Sequence, residues 1–409
     1  MPADLVEQGL RRVEWIRSRM NLLAEVREDF ERKKLFQGLK IGVSLHLEPK
    51  TVVLLETLQA GGAEIVGTGN YGSTQDDMVA VLSSYGMRIF GARGDSLDQH
   101  QGNVAQVIEH RPDILLDNGA DLVAAAIAGN KAAGVRGGTE ETTSGGDRLR
   151  SDMAGQVPFP VIVINDSPLK QIVENMHAVG QGVVESLMRV TNLMVNGRRF
   201  VVVGYGWCGR GIAQYLRALG GQIAVVEVDP IKAVEAALGG YRVGKLEELA
   251  PWGETFITAT GRPGAIGRAA FDRMPTGAVL ANAGHFDWEI DVPALRSLAI
   301  GCSMVDEGIE QFDFTDGRQI VLLAGGRMLN LAGREPKGNS IESMDVGFML
   351  QALSLARVAQ APSVPLMPGP QPVPVEINRR TALSLLAKLS PPRANPSESA
   401  GLPFRAAGS

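Results

Sequence analysis

Polar and apolar positions along the 409-residue chain follow two rhythms. Short runs rich in β-branched residues, LKIGVSLHL, AEIVGTG, MRIFGAR, DILLDNG and PVIVIND, predict five buried parallel strands in the first half. Between them, KTVVLLETLQAGG and TQDDMVAVLSSYG have helical spacing and end at glycine. The stretch MPADLVEQGLRRVEWIRSRM predicts an amphipathic helix with Leu5, Leu10, Val13, Ile16 and Met20 on one side. Residues 167–196 read as a long helix softened at Gly180 and Gly182, placed to bridge two domains. A second α/β series follows in RRFVVVGYG, QIAVVEVD, ETFITATG, GAVLANAG and RQIVLLAG. SIESMDVGFMLQALSLARVAQ returns to helix, APSVPLMPGPQPVPVE is proline-rich and extended, and INRRTALSLLAKL is a last helix. Beyond Ser390 the composition is that of a disordered segment. The fold class expected is α/β, with two Rossmann-like doubly wound domains.

Composition narrows the function classes. A hydrophobic content of 44% and a charged content of 21% describe an ordinary globular protein. A net charge of −5, with no basic cluster, argues against a general nucleic-acid binder, since phosphate contacts need grouped Lys and Arg. No apolar run reaches the roughly 18 residues of a membrane span, and charges interrupt the first helix where a signal peptide would be apolar. Two cysteines without a CxxC motif suit a reducing cytoplasm, and no metal site is predicted.

The strongest chemical signal is GYGWCGRG, in which Gly204, Gly206 and Gly209 form GxGxxG between a strand and a helix. The first glycine makes the tight turn, the second admits a pyrophosphate, and the third lets helix and strand pack closely. Glu227 ends the next strand, 23 residues after Gly204, where a carboxylate binds the ribose 2′-OH of NAD and repels a 2′-phosphate. Lys232 lies close enough to blunt that preference slightly. The predicted cofactor is NAD.

The first half carries no such loop, yet its motifs are distinctive: SLHLEPKTVVLLETL, STQD at 73–76, LLDNGADL, EETTSG, NDSPLKQIVEN, EVDP and NAGHFDWEID. In this order they resemble the adenosylhomocysteinase (S-adenosylhomocysteine hydrolase) family over residues 5–389. The resemblance implies a substrate domain at 1–165 with a return segment at 341–372, an inserted NAD-binding domain at 181–335, and a C-terminal tail at 373–409. It implies tightly held NAD that oxidises a ribose 3′-OH, so that the ketone acidifies C4′ and homocysteine leaves from C5′. It also implies a homo-oligomer, a nucleoside-like small-molecule substrate, and no membrane partner.

Carried over position by position, the resemblance makes Lys170 the proton carrier at the 3′-oxygen, and Glu141 and Asn175 the groups holding the ribose hydroxyls. His46 and His285 are placed near the reacting carbons. Thr142, Thr143, Ser144, Thr260 and Asn330 fall on NAD-contacting positions, and Asp117 and Met344 on substrate-contacting ones. Departures from the family pattern are concentrated. Asn118 replaces an aspartate assigned to base chemistry, and Glu174 replaces a shorter aspartate. Glu48 and Lys50 alter the purine end, as does Asn339, which stands in a loop recast as GREPKGNSIES. The family's lysine–tyrosine ending, which reaches into a neighbour's NAD site, is absent, so the oligomeric state is left open. The expectation drawn from these changes is a divergent enzyme that oxidises a nucleoside 3′-hydroxyl and ends in oxidation, epimerisation or elimination. The alternatives are an authentic S-adenosylhomocysteine hydrolase and an NAD-loaded regulatory protein without catalysis.

Overall fold

The computed structural model describes residues 3–332, 335–360 and 366–390. Its strands are β1 Lys40–Leu45, β2 Glu64–Gly69, β3 Arg88–Phe90, β4 Ile114–Asp117, β5 Gly137–Glu140 and β6 Pro160–Val163 in the first half. They continue with β7 Arg199–Val203, β8 Gln222–Val226, β9 Arg242–Val243, β10 Thr255–Thr258, β11 Ala278–Asn282, β12 Gly301–Asp306, β13 Ile309–Asp313, β14 Gln319–Leu323 and β15 Gly369–Pro372. One sheet runs β15-β6-β5-β4-β1-β2-β3, with every pair parallel. The other runs β12-β13-β14-β11-β10-β7-β8-β9 and is parallel except for the β12–β13 and β13–β14 pairs. In each sheet the strand order reverses once among the parallel strands, between β1 and β4 and between β7 and β10. Ligands of open α/β sheets bind at the carboxyl ends of such switch points.

Five strands were expected in the first sheet and seven form. β5 is GGTE and β15 is GPQP, both too polar or too rich in glycine and proline to read as strands. β15 tolerates its prolines because it is an edge strand, bonded only to β6. In the second series the short β9 and the β12–β13 hairpin were also unforeseen. The two sheets have separate apolar cores, Ile41, Leu54, Leu116 and Leu350 among the first, Val202, Ile212 and Ile257 among the second.

Two helical expectations need correction. The first helix, Ala3–Arg17, ends before Met20, which instead precedes a second helix at Asn21–Lys33. Leu10 is 37% exposed, because Gly9 and Val13 form the face that packs inward, Gly9 against Val81 of the helix Asp76–Ser84. The bridging helix is not softened at its glycines. Pro168–Lys170, a π-helical stretch Gln171–Ala178 and Val179–Thr191 follow without a break. Gly180 is where the backbone of Gly211, in the helix Trp207–Ala218, comes so close that a Cβ would stand 2.6 Å from a carbonyl carbon. Residues beyond Ser390, expected from composition to be disordered, lie outside the described residues.

Candidate active site

Four polar side chains of the first half immediately follow strands: His46 after β1, Asn70 after β2, Asn118 after β4 and Glu141 after β5. A parallel sheet delivers its first loop residues to one edge, so these side chains converge on the switch point. Three of them, Asn70, Asn118 and Glu141, are hydrogen-bonded in series. Ser44 donates to Asn70 Oδ1 at 3.3 Å, Asn70 Nδ2 donates to Asn118 Oδ1 at 2.9 Å, and Asn118 Nδ2 donates to Glu141 Oε2 at 3.0 Å. Burial, reinforced by the charge of Glu174, pushes the Glu141 carboxyl up to about 7.

Lys170 reaches the same space from the bridging helix. The residue is only 4% exposed. It donates to Asn175 Oδ1 at 2.6 Å and lies 3.1 Å from Glu174 Oε1, while Asn175 Nδ2 donates to Asn165 Oδ1 at 2.7 Å. The π-helical turn explains how one lysine meets both i+4 and i+5 neighbours. With more residues per turn than an α-helix, it brings residues 174 and 175 to either side of Lys170. Burial works against the Lys170 charge, but Glu174 and Glu141 together hold its pKa above the ordinary lysine value.

The second sheet contributes His285, in the loop after β11. Asn282 shapes that loop by accepting from Gly284 N at 2.7 Å and donating to Phe286 O at 2.7 Å. The rings of His285 and His46 are 6.0 Å apart, and His46 Nδ1 is 2.6 Å from Ser73 Oγ. Burial drives both histidines down, His46 to about 3 with help from His285, and His285 to about 4. Near neutral pH each is an uncharged imidazole.

At the far end, Lys50 Nζ lies 2.6 Å from Glu48 Oε2 and donates to Lys337 O at 3.0 Å, making a buried ion pair under the segment that carries Gly338 and Asn339. Burial raises the Glu48 pKa against the pull of Lys50. Asn339 accepts from Asn330 Nδ2 at 3.3 Å and donates to Met344 Sδ at 3.6 Å. Part of the recast loop, residues 333–334, lies outside the described residues.

The glycine turn fits a dinucleotide. Gly204 has φ +98°, a Cβ on Gly209 would overlap the Gly204 carbonyl oxygen, and nothing lies within 4 Å of a Cβ on Gly206. The first backbone bond inside the following helix is Arg210 N to Gly206 O, which leaves the N–H groups of residues 207–209 without a helical acceptor. Glu227 Oε2 accepts from Tyr205 N at 2.7 Å and Oε1 from Val228 N at 2.7 Å, fixing the carboxylate beside the turn. Asn330 Oδ1 is buried with no partner, an acceptor waiting for a donor such as a carboxamide N–H. These residues suit NAD.

Several assigned residues are engaged otherwise. Asp117 is buried with both oxygens taken by backbone, Asn118 N at 3.0 Å and Val123 N at 3.0 Å, so it shapes the loop and presents nothing to a substrate. Thr142 caps the helix Thr143–Arg150 by accepting from Gly145 N at 2.9 Å, and Ser144 donates to it at 3.1 Å. Thr143 is exposed. Thr260 is held by Glu289, to which its N and Oγ1 both donate at 2.8 Å. Lys232 is 3.7 Å from Asp229 and outside the cluster around Lys170. Sequence reasoning missed Asn70, Asn165, Glu140 and Glu289, which orient the others. Glu140 accepts from Gly119 N at 3.0 Å, Ala120 N at 2.9 Å and Thr142 N at 2.8 Å, tying two site loops together. The EE pair in EETTSG was the available signal. Among the described residues no His, Cys, Asp and Glu grouping suits a metal ion, and no helix is long and apolar enough to cross a membrane.

Residues 175–335 match the family model for the NAD-binding domain of S-adenosyl-L-homocysteine hydrolase, and residues 3–135 match that for S-adenosyl-L-homocysteine hydrolase. The chain is 42% identical over 387 residues to the S-inosyl-L-homocysteine hydrolase of Methanopyrus kandleri, covering 93% of this chain and 90% of that protein. It is 43% identical over 353 residues to the adenosylhomocysteinase of Pyrococcus abyssi, covering 85% and 83%, and 42% identical over 357 residues to that of Aquifex aeolicus, covering 86% and 85%. These relatives favour net hydrolysis over the oxidation, epimerisation or elimination expected from the departures. The physical reason lies at Asn118. Losing a carboxylate there does not empty the site of bases, because Glu141, whose carboxyl is pushed up to about 7, is hydrogen-bonded to Asn118 itself.

Proposed function

The chain belongs to the S-adenosyl-L-homocysteine hydrolase family and takes NAD as its cofactor, and from that premise we propose that it cleaves the thioether of a purine-nucleosyl homocysteine with water. The observation that carries this reading is the meeting of His46 and His285, 6.0 Å apart, which joins the carboxyl edges of both sheets into one site. Bound NAD would supply a reversible hydride acceptor for the ribose 3′-position. Gly204, Gly206, Gly209 and Glu227 would hold it, and the unpartnered Asn330 Oδ1 would be free to accept from its carboxamide. The Lys170–Glu174 pair takes and returns the 3′-hydroxyl proton. Glu141, oriented by Asn118, and Asn175 fix the diol. His46 and His285 move protons at C4′ and at the leaving sulfur.

The Glu48–Lys50 pair faces the base. One donor beside one acceptor matches the 1,6-edge of adenine, with its acceptor N1 and amino group, and equally that of hypoxanthine, with its oxo group and N1–H. The division into a substrate domain at 1–165 and 341–372 and an NAD domain at 181–335 belongs to the same proposal, supported by the two separate sheets. So does a homo-oligomer, supported by the apolar stripe of Val228, Ile231, Val234 and Leu238 exposed on and beside the helix Pro230–Leu238. The test is to offer the purified protein S-adenosyl- and S-inosyl-L-homocysteine separately and measure free thiol. Release from either supports the reading and identifies the base. Release from neither, with NAD bound, removes it.

A further inference from the structure

We propose that Gly347 is a positioning residue: its missing side chain, on the helix Ile341–Ala359, is what lets a carboxylate as long as glutamate seat beside Lys170. This inference rests on the function proposed above for the Lys170–Glu174 pair.

Glycine in a helix interior is disfavoured relative to alanine, so a buried one needs a reason. At Gly347 the φ angle is not positive, so the backbone supplies none. Space does. Among the described residues, and leaving aside its own helix and chain neighbours, the heavy atoms within 4 Å of a Cβ at 347 are Oε2 and Cδ of Glu174. The Cβ would overlap Oε2. The rest of that volume is open, so Gly347 makes room for one carboxylate and for nothing else.

The carboxylate is poised by that room. Glu174 is buried, its Oε1 stands 3.1 Å from Lys170 Nζ, and its Oε2 has no hydrogen-bond partner. No polar bond therefore holds the outer oxygen, which occupies the space that a Cβ at residue 347 would fill. A methyl group at 347 pushes on the oxygen that has no anchor and rotates the other away from Lys170. An aspartate at 174, one methylene shorter, withdraws from the contact and should be indifferent to the methyl. The two positions are thus a matched pair, long acid with glycine.

The groups facing Lys170 are Glu174 on its own helix, Glu141 from the loop after β5, and Cys208 from the helix Trp207–Ala218. Glu174 and Glu141 raise the lysine's pKa, so displacing Glu174 lowers it.

The experiment compares the NAD-loaded wild type with Gly347→Ala, Glu174→Asp and the double variant. Gly347→Ala is expected to lower Tm and to cut kcat for thioether cleavage about 10- to 100-fold with little change in KM, because a proton carrier has been misplaced and the substrate contacts have not. Its kcat–pH profile should move to lower pH on the limb that reports Lys170. In the Glu174→Asp background the same alanine should cost no Tm and leave kcat within about twofold. Wild-type Tm and kcat in Gly347→Ala, or equal losses in both backgrounds, would overturn the proposal. If Gly347→Ala does not fold, the double variant must; its failure as well is an overturning result. A wild type that cleaves neither nucleosyl thioether sinks the proposed function, while the Tm comparison still decides Gly347.

Discussion

Lys170, Glu174 and Glu141 share one buried space, and the two carboxylates together hold the proton on Lys170. Lys170→Ala should leave NAD bound and cut turnover by about 10²-fold or more. Lys170→Arg should not rescue it, because a guanidinium does not release its proton near neutrality. Substrate cleavage at the wild-type rate by the alanine variant would take Lys170 out of the chemistry. The histidines give a second prediction at this scale. Their folded pKa values, about 3 and 4, lie below the unfolded value of about 6.5. The unfolded chain therefore binds more protons, and stability falls as pH drops below 6.5. Each histidine costs up to about 1.4 kcal/mol per pH unit until its own folded pKa is reached. His46→Asn should flatten the loss of denaturation free energy between pH 6 and 4 (roughly that window); an unchanged slope would mean His46 is protonated in the folded protein. His46, Asn118 and Glu141 were legible because each sits in a motif with a role attached to it. Asn70, though it also follows a strand, and Asn165, though it opens NDSPLKQIVEN, were not, since a side chain whose partner is another side chain leaves no spacing in the sequence.

Elements set these distances, above all the bridging helix and the helix Trp207–Ala218 that crosses it. The sequence reading took Gly180 for a weakness, reasoning from propensity alone. In the fold it is a contact surface: a Cβ at 180 would stand 2.6 Å from Gly211 C and 2.8 Å from Gly211 O. Gly180→Ala should therefore destabilise the NAD-loaded protein by about 1–3 kcal/mol, as overpacking does. Propensity by itself predicts a gain of about 0.5–1 kcal/mol. Urea denaturation decides between them by the sign of the change. The π-helical turn was equally invisible, because i+4 and i+5 partners look alike along a sequence and only the backbone brings both to Lys170. β5 and β15 were missed for a different reason. GGTE and GPQP carry almost no apolar signal, and β5 is a strand because β4 and β6 bond it from both sides. The glycine turn and its flanking strands, by contrast, were read correctly, since the motif itself requires that backbone.

Across the whole molecule, the function proposed above gives the second sheet two tasks: carrying His285 to the site and holding NAD. Glu227 is the residue proposed for the second, and its geometry dictates the variant. Its carboxylate receives the N–H groups of Tyr205, Val228 and Asp229, so alanine would orphan three donors as well as remove the ribose contact. Glutamine keeps the length and an acceptor oxygen while removing the charge. Glu227→Gln should weaken NAD binding by about 1.5–3 kcal/mol, the worth of hydrogen bonds to a charged group. That is roughly 10- to 150-fold in Kd. Because NAD binds the folded chain, the same change should appear in Tm. At a fixed free NAD concentration well above Kd, each tenfold loss of affinity removes about 1.4 kcal/mol of ligand stabilisation. The measurement is Tm against NAD concentration for wild type and variant, each first stripped of cofactor. The variant curve should be displaced to higher NAD concentration, and the two stripped proteins should melt within a few degrees of each other. Superimposed curves would mean that the ribose is held elsewhere and that Glu227 serves only the backbone of the glycine turn.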